Sequence, residues 1–203
     1  MKSATAAVCL IFVVLLISAR WASKAVNAPP FRDVIQTPVD TSLANGLSIT
    51  DMTDRSDLIA IGSCVDTKSV WVNRTLMTLA TVSVAETLKG AELGTIAVAL
   101  PGGIDANRKF PVAMTYPGAP QITPGEDVFL FLTADDQTAG CYTVTGFSQG
   151  KFSIVKDEGG EHFVTRDLTK TMLKDDNGVR RGSANMTPLS LLKAQVKVHL
   201  HQK

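Results

Sequence analysis

LATVSVAETLKGAELGTIAVALPGG, residues 79–103, decides the fold. From Ala80 the apolar side chains fall at every second position, Ala80, Val82 and Val84, and after Lys89-Gly90 and Gly94 the pattern resumes at Ile96, Val98 and Leu100. Strand side chains alternate between faces, so each run offers one face to a core. Val, Ile and Thr suit a pleated surface, while the central glycines and the Pro101-Gly102-Gly103 exit supply turn chemistry. Ala, Glu and Leu over 80–88 would also suit a helix, but the Thr-Val-Ser-Val core argues for strand. The stretch is a β-hairpin.

Working outward, residues 58–65 (LIAIGSCV) form a nearly continuous apolar run broken by Gly62, which marks a bulge or bend of the kind a curved sheet needs. Residues 127–132 (DVFLFL) lack alternation, so both faces are covered and the strand is central. Residues 141–147 and 151–155 flank Ser148-Gln149-Gly150 as a second hairpin, and 161–166 follow as another strand. Thr50 or Asp51 caps a short helix, and Thr187-Pro188 opens a C-terminal helix whose stripe is Leu189, Leu192, Val196 and Leu200, with Lys193, Lys197 and Lys203 facing away. The pattern predicts a mostly β chain: a small curved antiparallel sheet or closed barrel over 50–166, with a short N-terminal and a C-terminal helix. An extended arm over 26–49, a surface loop over 167–186 and the helix over 187–203 complete the organisation.

The N-terminal residues carry an address. Met1-Lys2, the apolar run 6–19 and the small residues at 23–25 have the layout of a secretory signal peptide ending at Ala25. The competing reading is a membrane anchor at 6–19, although 14 residues reach only about 21 Å as a helix. Removing 1–25 leaves 17 basic against 19 acidic residues, so no basic excess remains to draw nucleic acid. The chain is read as secreted or periplasmic. Export also makes a Cys64–Cys141 disulfide the expected pairing of the two remaining cysteines.

Chemistry is sparse. His162, His199 and His201 have no zinc-ligand spacing, and no cofactor or metal is expected. Ser148 sits in Gly146-Phe147-Ser148-Gln149-Gly150, the letters of G-x-S-x-G, with His162 as the first partner for a serine-hydrolase reading. Strand on both sides argues against a nucleophile elbow, so no catalytic residue is assigned. The proline-rich segment 104–124 is the largest irregular stretch. Trp71, Phe110 and Tyr116 are the expected interaction surface, on loops flanking the deciding hairpin.

The order SDLIAIGSCV, TLATVSVAETLKG, GTIAVALPGG, PGEDVFLFL and GFSQGKF resembles a group of uncharacterised bacterial secreted β-barrel proteins, over about residues 50–156. The strand ending Leu88-Lys89-Gly90 also looks like that of netrin-like modules, the OB-type barrels that include metalloproteinase inhibitors. The chain lacks the cysteine those inhibitors carry at the mature N-terminus. The resemblance implies an exported small barrel. The expected function is a non-catalytic binding or assembly module of the bacterial envelope or extracellular space, with an unknown protein or envelope component as partner. A serine hydrolase using Ser148, or a protease inhibitor acting through 104–124, are the alternatives.

Overall fold

The computed structural model describes residues 41–202 apart from 137 and 139. The signal peptide or anchor expected in 1–25, and most of the arm expected over 26–49, lie outside the described residues. Among the described residues the chain is mostly β, with two helices, one large sheet and two small ones.

The deciding hairpin is present as β3 (Thr75–Lys89) and β4 (Thr95–Pro101), paired antiparallel with Ala80 opposite Val98 and Val82 opposite Ile96. The run at 58–65 is the first half of β2 (Leu58–Val72), which pairs along β3 and bulges on either side of Gly62. On its other edge β2 pairs with β7 (Asp127–Ala134), Leu58 opposite Leu132. β8 (Cys141–Val144) then runs parallel to β4 and antiparallel to the end of β7, which closes a ring β7-β2-β3-β4-β8. Five strands match the size of an OB-type barrel, but the large sheet is not a simple one. β9 (Lys151–Lys156), β10 (His162–Asp167) and β13 (Ala184–Pro188) continue outward from β7 as a branch.

Phe131 marks the fork. Its N–H donates to Gly150 O (2.8 Å) on the branch side, and its carbonyl accepts Thr145 N (2.9 Å) on the ring side. One edge of β7 thereby serves two partners, β9 through residues 128–130 and β8 through 132–134. Residues 141–155 are accordingly not a hairpin, because β8 and β9 lie on different arms of the fork.

β7 is central, as its missing alternation requires. Val128, Leu130 and Leu132 point into the ring with Ala80, Val82, Val98 and Val144. Phe129 and Phe131 point the other way, where Phe152, Val164, Met52, Leu192 and Val196 close a second core. Two helices form the lid of that core: α1 (Ile49–Arg55) and α2 (Leu189–His201). α1 starts from Ser48, whose side chain accepts from Asp51 N while Asp51 takes the Ser48 N–H, two residues before Thr50, the earlier of the expected caps. Lys89 Nζ donates to Thr53 O (2.7 Å) and Asp54 O (3.2 Å), satisfying carbonyls at the end of α1. In α2, Pro188 is both the cap and the last residue of β13, so the helix starts later than Thr187-Pro188 suggests.

Lys193 and Lys197 do not face away. Both reach Glu86 on β3, at 2.5 and 3.5 Å. The Lys193 hydrogen bond holds the Glu86 carboxyl below its ordinary value of 4.5, outweighing the opposite effect of burial. A carboxyl depressed by folding adds stability that is present above its unfolded value and is lost as pH falls through its folded one. The difference in melting temperature between wild type and Glu86→Gln is therefore expected to be present above pH 4.5 and to vanish on acidification below it. A gap that persists at low pH, measured by thermal denaturation, would refute the linkage.

The surface loop expected over 167–186 is instead ordered strand: β11 (Thr171–Asp175) and β12 (Gly178–Arg181) form a hairpin about Asp176-Asn177, and β13 completes the branch. Likewise the end of the arm expected over 26–49 contains β1 (Ser42–Asn45), parallel to β11. Polar composition concealed these strands because they are short and only β11 buries side chains, Thr171 and Leu173, while β12 is exposed throughout. Gln149, buried, ties the segment down: its side chain accepts Leu47 N (2.8 Å) and donates to Asn45 O (2.7 Å). Gln149→Leu leaves those backbone groups without their partner and is expected to cost about 2 kcal/mol. Urea denaturation would measure it, and faster amide exchange at 42–47 would localise it.

The expected Cys64–Cys141 disulfide is not formed; both thiols are free. Cys64 N bonds Glu126 O at one end of β7, while Asp135 N bonds Cys141 O at the other. The eight residues of β7 separate them by about 27 Å, against the roughly 7 Å a bridge allows. Cys64 also points into the ring, whereas Tyr142 and Val144 take the ring-facing positions of β8 and turn Cys141 outward. Burial raises both thiol pKa values, which leaves them poor nucleophiles.

Candidate functional site

β2 and β3 are 15 residues each, so they outrun the ring and project as a two-stranded arm. The polar segment expected after residue 65 is thus strand as far as Val72, and Asn73-Arg74 is a two-residue loop with Asn73 at φ 56°. One face of the arm carries Ser69, Trp71, Leu76 and Thr78, paired across the strands. A small hairpin covers it, made by β5 (Gly103–Asp105) and β6 (Val112–Met114) from the proline-rich segment. Gly103 allows the close approach: a Cβ there would lie 2.8 Å from Ser69 Oγ and 2.9 Å from Thr78 Oγ1. Ser69 Oγ accepts Ile104 N (3.1 Å), and Met114 Sδ accepts Leu76 N (3.2 Å).

Asp105 organises the tip. Its carboxylate accepts Trp71 Nε1 (2.7 Å), Arg108 Nε (2.9 Å) and Asn107 N (3.2 Å). The Trp71 hydrogen bond is the chief cause of an Asp105 pKa below the ordinary carboxylate range. The Arg108 guanidinium lies 4.7 Å from the Trp71 ring centroid, a cation–π contact on the aromatic face. Lys109 Nζ stands 5.8 Å from the ring of Phe110, which is 76% exposed. Strand alternation turns Asp105 toward the arm and Ile104, 64% exposed, away from it. Residues 70–75 and 104–112 carry the cations Arg74, Arg108 and Lys109 and the single carboxylate of Asp105.

Of the three aromatics expected to form one surface, Trp71 lies on the arm and Phe110 on the loop of the hairpin that covers it, and Tyr116 is on neither. Tyr116 lines a cleft of about 1040 Å³ between residues 115–121 and the branch sheet. There Tyr116-Pro117-Gly118-Ala119 forms a turn closed by Ala119 N to Tyr116 O (3.0 Å), with Gly118 at φ 68° as a type II turn demands. Of the cleft's ionic groups Lys151 is paired, whereas Arg166 keeps a buried Nε without a hydrogen-bond partner among the described residues. Lys151 Nζ bonds Glu126 and Ser153 Oγ, and Ser153 Oγ and Thr123 N also reach Glu126. Burial pushes the Glu126 carboxyl up, but the bonds from Lys151, Ser153 and Thr123 outweigh it and leave the group below its ordinary value. Arg166, which also lines the cleft, donates to Gln149 O (2.9 Å) and stacks 4.7 Å from the Phe152 centroid.

Ser148 is buried in a run of turns between β8 and β9, with Gly146 and Phe147 both at positive φ. Its hydroxyl meets Thr171 Oγ1 at 3.4 Å. His162 sits four residues before Arg166 at the far end of β10, about 13 Å along the strand; the structure does not bring the two together. His199 Nε2 bonds Asp54 Oδ1 (2.7 Å), and His201 Nδ1 meets Lys197 O (2.6 Å). Among the described residues, no three His, Cys, Asp or Glu side chains gather as a metal-ligand group, and no helix is long and apolar enough to cross a membrane.

Ile104, Asp105 and Arg108 escaped the sequence reading because their roles depend on a hairpin laid across the arm. The available signal was Val70 and Val72 continuing the alternation of β2 beyond residue 65, followed by an asparagine able to turn. No family model, curated protein or solved structure matches the chain.

Proposed function

We propose that this protein is an exported, non-catalytic binding module of the bacterial envelope or extracellular space, which docks through the tip of its arm. The observation that carries the reading is the tip itself: Phe110 and Ile104 stand exposed at 76% and 64% on a scaffold fixed by Asp105, Trp71 and Arg108. Apolar side chains held out on a projecting, hydrogen-bonded support mark an interaction site, whereas scattered single ones do not. The signal-peptide layout supports export, and the separation of Ser148 from His162 favours binding over hydrolysis.

Phe110→Ser with Ile104→Ser is expected to reduce retention of the protein on an envelope fraction about tenfold while leaving thermal unfolding unchanged, since neither side chain belongs to a core. Co-sedimentation of wild type and variant with the envelope fraction measures it. Equal retention of the two proteins would overturn the assignment of the tip.

A further inference from the structure

Resting on that reading, we infer that the arm tip docks on an anionic phospholipid surface. Two properties converge on this occupant. The exposed side chains are a phenylalanine and an isoleucine, with the Trp71 ring 37% exposed behind them, a set that partitions into the boundary between headgroups and acyl chains. Three cations belong to the same segments, Arg74 in the arm's own turn and Arg108 and Lys109 on the covering hairpin, and the one carboxylate, Asp105, pairs with Arg108 and also accepts from Trp71 and Asn107, which leaves a positive balance. The Arg108 guanidinium and the Lys109 ammonium lie beside aromatic rings, at 4.7 and 5.8 Å from the centroids. Apolar groups ringed by positive charge match a surface that is apolar beneath and negative above.

The geometry suits contact at a point. The arm presents its short end, so a few side chains insert while the ring and helices stay in water. Insertion is reversible, since apolar burial this small is a weak anchor without the charge term.

Trp71 supplies the test. The chain has two tryptophans, Trp21 and Trp71, so the full chain carrying Trp21→Phe reports from the tip alone, independently of the apolar run at 6–19. With vesicles of phosphatidylglycerol in phosphatidylcholine, the Trp71 emission is expected to shift to shorter wavelength, and binding should weaken as salt rises. Vesicles of phosphatidylcholine alone should give no shift. Arg74→Gln and Lys109→Gln, both exposed, are each expected to weaken binding about fivefold, and Phe110→Ser to abolish the shift.

Absence of a shift with phosphatidylglycerol, or an equal shift with both vesicle types, would overturn the inference. If vesicles fail but a lipid-extracted envelope fraction still retains wild type over the Phe110→Ser and Ile104→Ser variant, the occupant is an acidic protein: the lipid assignment falls and the binding module stands. If neither vesicles nor envelope fraction discriminates the variant, both fall.

Discussion

Gly62→Ala is expected to cost about 3 kcal/mol or more, a large share of the 5–15 kcal/mol typical of a domain, and to leave little soluble folded protein. A Cβ at Gly62 would lie 2.1 Å from Ser83 O and 3.0 Å from Ser83 C. The obstruction is backbone of the partner strand, so no side-chain rotation relieves it. The ladder has register shifts at Ile61/Gly62 and at Cys64/Asp66, and these bend β2 so that it reaches β3 on one edge and β7 on the other. Forcing the strands apart here opens the ring at its first pairing. Gly94→Ala is the matched control: nothing lies within 4 Å of a Cβ there, so its urea midpoint should stay near that of wild type. Similar midpoints for the two variants would refute the close approach at Gly62.

Phe131→Ala is expected to cost 3–5 kcal/mol, the usual range for emptying a buried aromatic site. Phe131 is fully buried, with ring centroids 5.3 Å from Phe129 and 6.0 Å from Phe152. The three rings form the floor on which Leu192 and Val196 of α2 rest. The cavity would lie directly at the fork, where the main chain of Phe131 holds Gly150 and Thr145 on diverging strands. Amide protection should therefore fall in α2 and at 145–150 before it falls in β3 and β4. A loss below about 1 kcal/mol, or uniform loss of protection, would show that the helix layer does not depend on this floor.

The ring was legible from residues 58–65, 79–103 and 127–132 because its strands are buried. Burial writes its demands into sequence as alternation where one face is covered, and as an unbroken apolar run where both are. The C-terminal helix was legible for the same reason, since Leu192 and Val196 must face a core, whereas the short N-terminal helix was read from its capping residues. The arm beyond residue 65 was not, because it leaves the core and its polar residues are compatible with loop or strand alike. Nor were β1, β11 and β12 legible, whose pairing rests on backbone ladders and on the buried amide of Gln149.

The same division runs through the candidate site. Trp71 and Phe110 stood out as aromatics in segments without a core role. The carboxylate that joins them to Arg108 could not be chosen by sequence, because Asp105 is 34 positions from Trp71 and resembles any other exposed aspartate. The disulfide expectation failed on the same ground: an even cysteine count says nothing about which end of β7 each residue occupies.

By itself, then, the sequence determined a mostly β chain with a hairpin at its centre, a covered central strand, a short N-terminal and a C-terminal helix and a set of export-like N-terminal residues. These follow from periodicity, which is a local property. The tertiary structure alone decided the fork at Phe131, the separation of Cys64 from Cys141, the parting of Ser148 from His162, and the meeting of Trp71, Asp105 and Arg108 at the end of an arm. Each of these depends on which strand edges pair, and edge choice is settled by the burial and hydrogen bonding of the whole chain at once.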